Sequence, residues 1–222
     1  MSLNSNDLPA GGGTEFEPME PGTYPARTVC MIDLGLQDGG SWQDKKKPPV
    51  NKIALTYEFV DEWLKDEDGN DMKDKPKWLT EMMPFYSLGA DKAKSTKRYL
   101  ALDPKNVHEG DFSMILDVPC MVTVVHNPNK KKPGQVWENI AGVTAMREKD
   151  AAKCDPLVND TLIFDLDDPD VEVFTKLPKF IQAEIKKGLE YEGSKLYGLL
   201  GDESAPEAEG DVSEDTGEDT PY

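Results

Sequence analysis

The chain has 222 residues, 37% of them hydrophobic and 31% charged, which suits one medium-sized domain with appendages. Its formal net charge is −18, with 43 acidic against 25 basic residues, and this total alone argues against an anionic ligand such as nucleic acid. No run of about 18 apolar residues occurs, so we expect no membrane-spanning helix and no membrane partner.

The negative charge is concentrated at the two ends of the chain. Residues 202–222 contain nine acids and no base, and residues 1–21 contain four acids and no base. Residues 148–201 contain twelve acids and seven bases, whereas residues 22–147 contain eighteen of each. The central segment is therefore neutral, and the total charge does not exclude nucleic acid as its partner.

These shifts in composition divide the chain into four parts. We expect a flexible arm over residues 1–21 and a nucleic-acid-binding domain over residues 22–147. Residues 148–201 form an extension, and residues 202–222 are a low-complexity acidic tail that cannot bury enough apolar surface to fold alone. The tail is therefore expected to be disordered.

The central segment contains five runs in which apolar and polar residues alternate, as in β-strands. A short helix over residues 91–102 is expected between the third and fourth runs, and a helical turn over residues 112–116. This order predicts a mainly β fold, a five-stranded OB-fold barrel with a bridging helix. A β-sandwich is the open alternative. The five expected strands cover residues 24–37, 52–60, 77–83, 120–126 and 135–146.

An additional C-terminal helix is expected in the extension, from about Lys176 to Leu189. Leu177, Ile181, Ile185 and Leu189 recur every four residues and give one apolar stripe. We expect this stripe to pack on the barrel, and contact with a partner or a second copy in a homodimer is the alternative.

Two runs of three lysines stand in loops, each followed by proline and each near a tryptophan. In an OB topology these loops join strands one and two and strands four and five, which are the loops that grip oligonucleotides. The alternative is a solvated surface loop in each case. The residues concerned are Lys45, Lys46, Lys47 and Trp42 in the first loop, and Lys130, Lys131, Lys132 and Trp137 in the second.

Single-stranded DNA offers phosphates to lysines and unpaired bases to aromatic rings, which stack with about 1–3 kcal/mol per base. Trp78 and Tyr86 are further stacking candidates, with a place in the core as the alternative for Trp78. Tyr57 and Phe59 share an apolar face and are expected in the core. The bridging helix contains cations that would extend the phosphate track, with a solvated helix face as the alternative, namely Lys92, Lys94, Lys97 and Arg98.

No catalytic, cofactor or metal site is expected, because Gly-rich phosphate loops, nucleophile elbows and zinc-protease motifs are absent. Cys30, Cys120 and Cys154 are far apart and are expected to be free thiols. A metal-dependent nuclease stays open as an alternative, because the extension contains an acidic cluster of Asp165, Asp167, Asp168 and Asp170.

The acidic tail ends in an aromatic residue, and we interpret it as a mimic of single-stranded DNA. It would occupy the groove when DNA is absent and become free for protein partners when DNA displaces it. A solubilising tail is the alternative. The residues expected to contact partners are Asp215, Glu218, Asp219 and Tyr222.

The layout resembles the replication single-stranded DNA-binding proteins of tailed bacteriophages. The similarity is carried by residues 21–27, 52–59 and 94–97 and by the acidic tail with its aromatic end. Arg27 and Lys52, which lie in these stretches, are included among the expected DNA contacts.

The resemblance implies an OB fold, coating of single strands, and contact of the tail with replication or recombination proteins such as a polymerase or helicase. It also implies a location in the cytoplasm of an infected bacterial host. The competing hypothesis is a phage interaction or structural β-protein, or an acidic decoy of a host DNA-binding enzyme.

Overall fold

The computed structural model describes residues 18–129 and 134–201. It is mainly β, which confirms the predicted fold class. The strands are β1 (Gly22–Gln37), β2 (Ser41–Trp42), β3 (Lys45–Lys46), β4 (Val50–Lys65), β5 (Asp71–Pro84), β6 (Pro119–Pro128), β7 (Val136–Ala145) and β8 (Leu162–Phe164). The helices are α1 (Lys94–Leu102), α2 (Glu148–Ala151), α3 (Val171–Lys176), α4 (Lys179–Lys186) and α5 (Lys195–Leu200), with 3₁₀ turns at Phe112–Ile115 and Tyr191–Gly193.

Six of the strands form one sheet in the order β5-β4-β1-β6-β7, with β8 added to β1. All pairs are antiparallel except β1 with β8. Among the described residues no backbone ladder joins the edge strands β5 and β7, although their Cα atoms approach within 8 Å. A closed five-stranded barrel is therefore not confirmed. The two facing sheets of a sandwich are not seen in this part of the chain either.

Strand β1 changes its partners at a β-bulge. It pairs with β6 up to Arg27, and the register against β4 shifts between Thr28 and Cys30. Beyond the bulge β8 takes the place of β6, with Cys30 opposite Leu162. Because an extra residue reverses which side chains point inward, Ala26 faces the interior of the curved sheet, whereas Ile32 faces its outside.

The interior of the curved sheet holds the larger core, in which Ile53, Leu55, Tyr57 and Phe59 of β4 are at most 1% exposed. Each such side chain contributes about 1.5–3 kcal/mol by leaving water. Tyr57 and Phe59 are thus core residues, as predicted. Tyr99 of α1 and Phe112 close the interior from the side of the helix, with ring centroids 5.0 Å apart.

A second core lies on the outside of β1 and is covered by residues of the extension. Leu177, Ile181 and Ile185 are buried there against Ile32 and Leu34. The helix expected over residues 176–189 is shorter in the structure: α4 covers Lys179–Lys186 and begins after Pro178, because proline has no N–H with which to continue the preceding helix α3. Leu189 lies beyond α4 and is 55% exposed, so the buried stripe ends at Ile185 and does not include its last predicted member.

Candidate nucleic-acid interface

The outer face of strands β4 and β5 exposes a line of three side chains from β5. In the register, Trp78 lies opposite Glu58, Thr80 opposite Thr56, and Met82 opposite Ala54. Alternate residues of a strand project to the same side, about 7 Å apart. Trp78 is 46% exposed and Met82 is 43% exposed. We call Trp78, Thr80 and Met82 the outer stripe.

Hydrogen bonds hold the outer stripe against β4. The Trp78 Nε1–H donates to Glu58 Oε2 at 3.0 Å, and the Thr56 and Thr80 hydroxyl oxygens are 2.9 Å apart. Trp78 thus has its polar edge turned to the sheet, while nearly half of its surface is open to solvent. An aromatic ring held in this way provides a platform for a stacked base.

Exposed lysines lie at one end of the outer stripe. Gln37 of β1 pairs with Val50 of β4, and the intervening loop folds into the small hairpin of β2 and β3. Its two turn residues, Gln43 and Asp44, have φ of 46° and 61°, as a tight two-residue hairpin turn requires. This hairpin exposes Lys45, Lys46 and Lys47.

Lys52 continues the cationic end from the hairpin toward helix α4. It lies opposite Pro84 of β5, next to the outer stripe. Its Nζ is 4.0 Å from Glu184 Oε1, and Glu184 Oε2 is 3.3 Å from Lys187 Nζ. Glu184 therefore links a lysine of the sheet to an exposed lysine at the end of α4.

Arg98 lies in the interior rather than in the phosphate track. It is 6% exposed, and its Nε and Nη2 donate to the two oxygens of Glu81 at 2.7 and 3.1 Å. Its Nη2 also donates to the carbonyl of Ile140 in β7 at 3.4 Å, so Arg98 bridges the gap between β5 and β7. Burial alone would lower the pKa of the guanidinium, but Glu81 outweighs burial and raises it.

The same interior network engages Lys94 and Tyr57. Lys94 Nζ is 3.1 Å from Glu81 Oε2, and the Tyr57 hydroxyl donates to Glu81 Oε1 at 2.9 Å. Burial, and then the charge of Glu81, raise the pKa of Tyr57 well above its ordinary value. Lys92 and Lys97 are exposed and remain candidates for phosphate contact.

Arg27 is also used inside the protein. Its guanidinium donates to the Asp117 side chain at 2.9 Å and to the carbonyls of Cys154 and Asp155 at 3.1 and 2.8 Å. It fastens the start of the extension to the curved sheet. The resemblance placed Arg27 among the DNA contacts, but its Nε and both of its Nη atoms donate inside the protein, and we leave Arg27 and Arg98 out of the interface.

The other predicted aromatic residues lie at separate places. Tyr86 follows β5 and is 48% exposed, and Trp137 of β7 is 54% exposed opposite Asn127. Trp42 belongs to the hairpin strand β2, for which the structure describes the backbone of this residue but not its side chain. The second lysine run and the tail also lie outside the described residues, namely Lys130, Lys131, Lys132, Asp215, Glu218, Asp219 and Tyr222.

The two lysine-bearing loops leave the sheet at opposite ends of β1. The hairpin of β2 and β3 follows Gln37, whereas β6 passes Gly22 at residue Val124 and continues to Pro128 before its loop. In this register the points at which the two loops leave the sheet therefore do not lie side by side. A single-stranded DNA that contacts both lysine-bearing loops therefore has to run along the face of the sheet between them.

Several residues of this face were not among the residues predicted from the sequence. Thr80 and Met82 follow from the alternation of β5 once Trp78 is placed outside, so their signal was present. Glu58 and Glu184 had no such signal, because their partners are distant in sequence. A further exposed cation at the other end of β5, Lys73, has its Nζ 3.2 Å from the centroid of the Trp63 ring.

An acidic cavity of about 1020 Å³ lies between the ends of β1 and β4 and the extension, and no residue of the outer stripe lines it. Asp33, Asp165 and Asp167 line it, and Lys195 is its basic residue. Burial, and then Asp165 and Asp167, raise the pKa of Asp33. In the described ranges no group of three or more His, Cys, Asp or Glu is arranged to hold a metal ion. An anionic strand is disfavoured in this cavity.

None of the helices within residues 18–129 and 134–201 is both long enough and apolar enough to cross a membrane.

Comparison with known proteins gives no family for the chain. No family model matches it, and neither the curated proteins nor the solved structures contain a significant match.

Proposed function

We propose that this protein binds single-stranded DNA along the outer face of β4 and β5. The observation that carries the proposal is the outer stripe, in which a half-exposed tryptophan held by a hydrogen bond lies in line with Lys52 and the lysine hairpin. Single-strand-binding proteins combine these two elements, an aromatic platform for bases and cations for the backbone.

The order of the elements supports an OB-type barrel as the fold. Counting only the long strands, β1, β4, β5, β6 and β7 are strands one to five, and α1 stands between the third and fourth. The face of strands two and three is where OB barrels bind oligonucleotides, and here that is the face of β4 and β5. Arg98 and α1 close the side at which β5 and β7 do not pair.

The charge distribution supports the same function. The excess acid lies in the terminal segments and in the cavity beside the extension, whereas the hairpin end of the outer stripe is basic. We propose that the protein coats and protects single strands during phage replication or recombination. In this proposal the acidic tail competes with DNA and recruits replication proteins.

Fluorescence anisotropy with a labelled oligo(dT) tests the proposal, with a duplex and an RNA of equal length as comparisons. If four to six phosphates are neutralised, log affinity falls against log salt with a slope of roughly −3 to −4. A flat salt response, or binding to the duplex as tight as to the single strand, contradicts the proposal.

The same titration with residues 1–201 tests the tail. Removal of a competing acidic segment is expected to tighten binding to oligo(dT), most strongly at low salt, because screening weakens the competition at high salt. Unchanged affinity at every salt concentration removes the tail from the mechanism. If neither form binds DNA, an interaction or structural β-protein replaces the proposal.

A further inference from the structure

A buried carboxylate connects the C-terminal extension to the exposed tryptophan of the outer stripe. Glu58 projects to the outer side of the sheet, yet it is 1% exposed. Besides the Trp78 indole, its Oε2 accepts a hydrogen bond from Asn159 Nδ2 at 2.8 Å, and its Oε1 accepts one from the backbone N–H of Val158 at 2.6 Å. Residues 158 and 159 thus cover Glu58 from above.

These three donors use both oxygens of the carboxylate. Burying a carboxylate is unfavourable unless it is fully hydrogen-bonded. Apolar side chains would therefore hold the extension against the sheet with a smaller free-energy penalty. A carboxylate accepts at both oxygens, whereas a glutamine side chain would turn an N–H toward one of the three donors. The residue type therefore matches the task of receiving the indole and the extension together.

The indole needs such a partner because it lies at the surface. Trp78 is 46% exposed, so packing surrounds only part of its ring. A hydrogen bond from Nε1 to a fixed acceptor selects which edge of the ring points inward and which surface is left for a base. The acceptor itself is fixed by Val158 and Asn159.

We infer that Glu58 is a positioning residue that orients Trp78 for base stacking, and that residues 158 and 159 set its geometry from the extension. The inference rests on the proposed function, because it assigns the extension a part in the DNA interface. It makes the segment after the barrel a working component of the binding face and not only a cover for β1.

The first measurement follows the four tryptophan indole signals in a ¹H–¹⁵N spectrum of the full chain without DNA. Trp78→Phe identifies the Trp78 signal by its disappearance. Asn159→Ala is expected to shift the Trp78 indole signal while leaving the Trp42 and Trp137 signals in place. A Trp78 signal that does not move overturns the inference, whatever the protein does with DNA.

The second measurement is a double-mutant cycle on the affinity for oligo(dT). Asn159→Ala is expected to weaken binding about threefold in the wild-type background and to have no effect in the Trp78→Phe background, because it acts through the indole. An equal loss in both backgrounds overturns the inference. Glu58→Gln should reproduce the loss, and Asn159→Ala carries the test alone if that variant does not fold.

The two levels of proposal fail in distinguishable ways. Wild-type protein that does not bind oligo(dT) overturns the proposed function and, with it, the assignment of Trp78 to stacking. Normal DNA binding with an unmoved indole signal leaves the proposed function intact and overturns only the role of Glu58.

Discussion

The two sides of the β4–β5 ribbon each hold a buried glutamate, and the partners of the two residues differ. On the inner side Glu81 pairs with the cations of Arg98 and Lys94 and accepts from the Tyr57 hydroxyl. On the outer side Glu58 accepts hydrogen bonds from an indole, an amide side chain and a backbone N–H.

Under the proposed function, this difference assigns stability to one side of the strand pair and DNA recognition to the other. The ion pairs of Glu81 tie α1 to the ribbon, and Arg98 also donates a hydrogen bond to β7 where the sheet is open, so these contacts act on the fold. The neutral donors around Glu58 hold a side chain that is still half exposed, so they act on the surface. Variants on the inner side should therefore change stability, and variants on the outer side should change binding.

The largest expected effect is the loss of stability when one inner partner is removed. Arg98→Ala leaves Glu81 buried without its main cation, and breaking a buried pair in this way costs about 3–5 kcal/mol of unfolding free energy. Urea denaturation followed by circular dichroism measures the change.

The paired replacement Arg98→Met with Glu81→Leu is the control for the inner network. It removes both charges together, so it should cost clearly less than Arg98→Ala alone. A single variant as stable as the wild type would show that Glu81 does not need Arg98, and the comparison of the two sides would fail.

The second effect is the loss of DNA affinity when the outer platform is removed. Trp78→Ala should weaken oligo(dT) binding by about 1–3 kcal/mol, the range for one stacked base. Unfolding free energy should change by much less than in Arg98→Ala, because nearly half of the ring is already in solvent.

Met114→Ala provides the matched control for Trp78→Ala. Met114 is 54% exposed on the 3₁₀ turn at Phe112–Ile115 and is not part of the outer stripe. Its removal should leave affinity unchanged. Equal losses in the two variants would show that the outer stripe has no special part in binding.

The sequence was sufficient for the regular parts of the fold. Residues 52–60 of strand β4 alternate without interruption, so Ile53, Leu55, Tyr57 and Phe59 were assigned to one face and lie in the core. Strand β1 alternates just as clearly, yet its bulge divides Ala26 and Ile32 between two cores. A bulge depends on the neighbouring strands, and the pattern of a single strand does not reveal it.

The candidate site was predictable where a residue's own type decides its place, and not where a distant partner decides it. Trp78 was named as a stacking candidate because it is aromatic, with a place in the core as the alternative, and its side chain is 46% exposed. Arg98 was assigned to the surface because it shares a helix with lysines, but Glu81, seventeen positions earlier, draws it into the interior. Glu58 was not singled out because its partners Val158 and Asn159 are about a hundred positions away.

The third prediction concerns the hairpin end of the outer stripe. Changing Lys45, Lys46 and Lys47 to Ala should reduce the salt slope by up to about 2, at about 0.7 per phosphate contact on a single strand. The variant should lose affinity equally for oligonucleotides of every base sequence, because phosphate contacts carry no sequence information. Titrations of oligo(dT) at several salt concentrations measure the slope.

The control for the hairpin variant removes the same charge elsewhere. Lys105, Lys149 and Lys153 are exposed outside the outer stripe and the hairpin. Their replacement by Ala removes the same number of positive charges as the hairpin variant. It should nevertheless leave most of the dependence of log affinity on log salt unchanged. If both triple variants lose the same slope, overall charge rather than the hairpin governs binding.

The smallest expected effect is a gain in affinity for oligo(dT), and it follows from replacing Glu184. This carboxylate lies between Lys52 and Lys187, 4.0 Å from the first and 3.3 Å from the second. Glu184→Gln removes a negative charge beside the outer stripe and leaves both lysines for phosphates. Because pairs near the surface are weak and screened, the gain in affinity for oligo(dT) should be about twofold and should disappear at high salt.

Glu148→Gln separates this local effect from the change in net charge, because Glu148 is exposed on α2 and is not part of the lysine network. It should leave affinity nearly unchanged. A twofold gain in both variants would mean that the DNA responds only to total charge. A gain in Glu184→Gln alone would place the path of the DNA beside Lys52 and extend the outer face from the sheet onto helix α4.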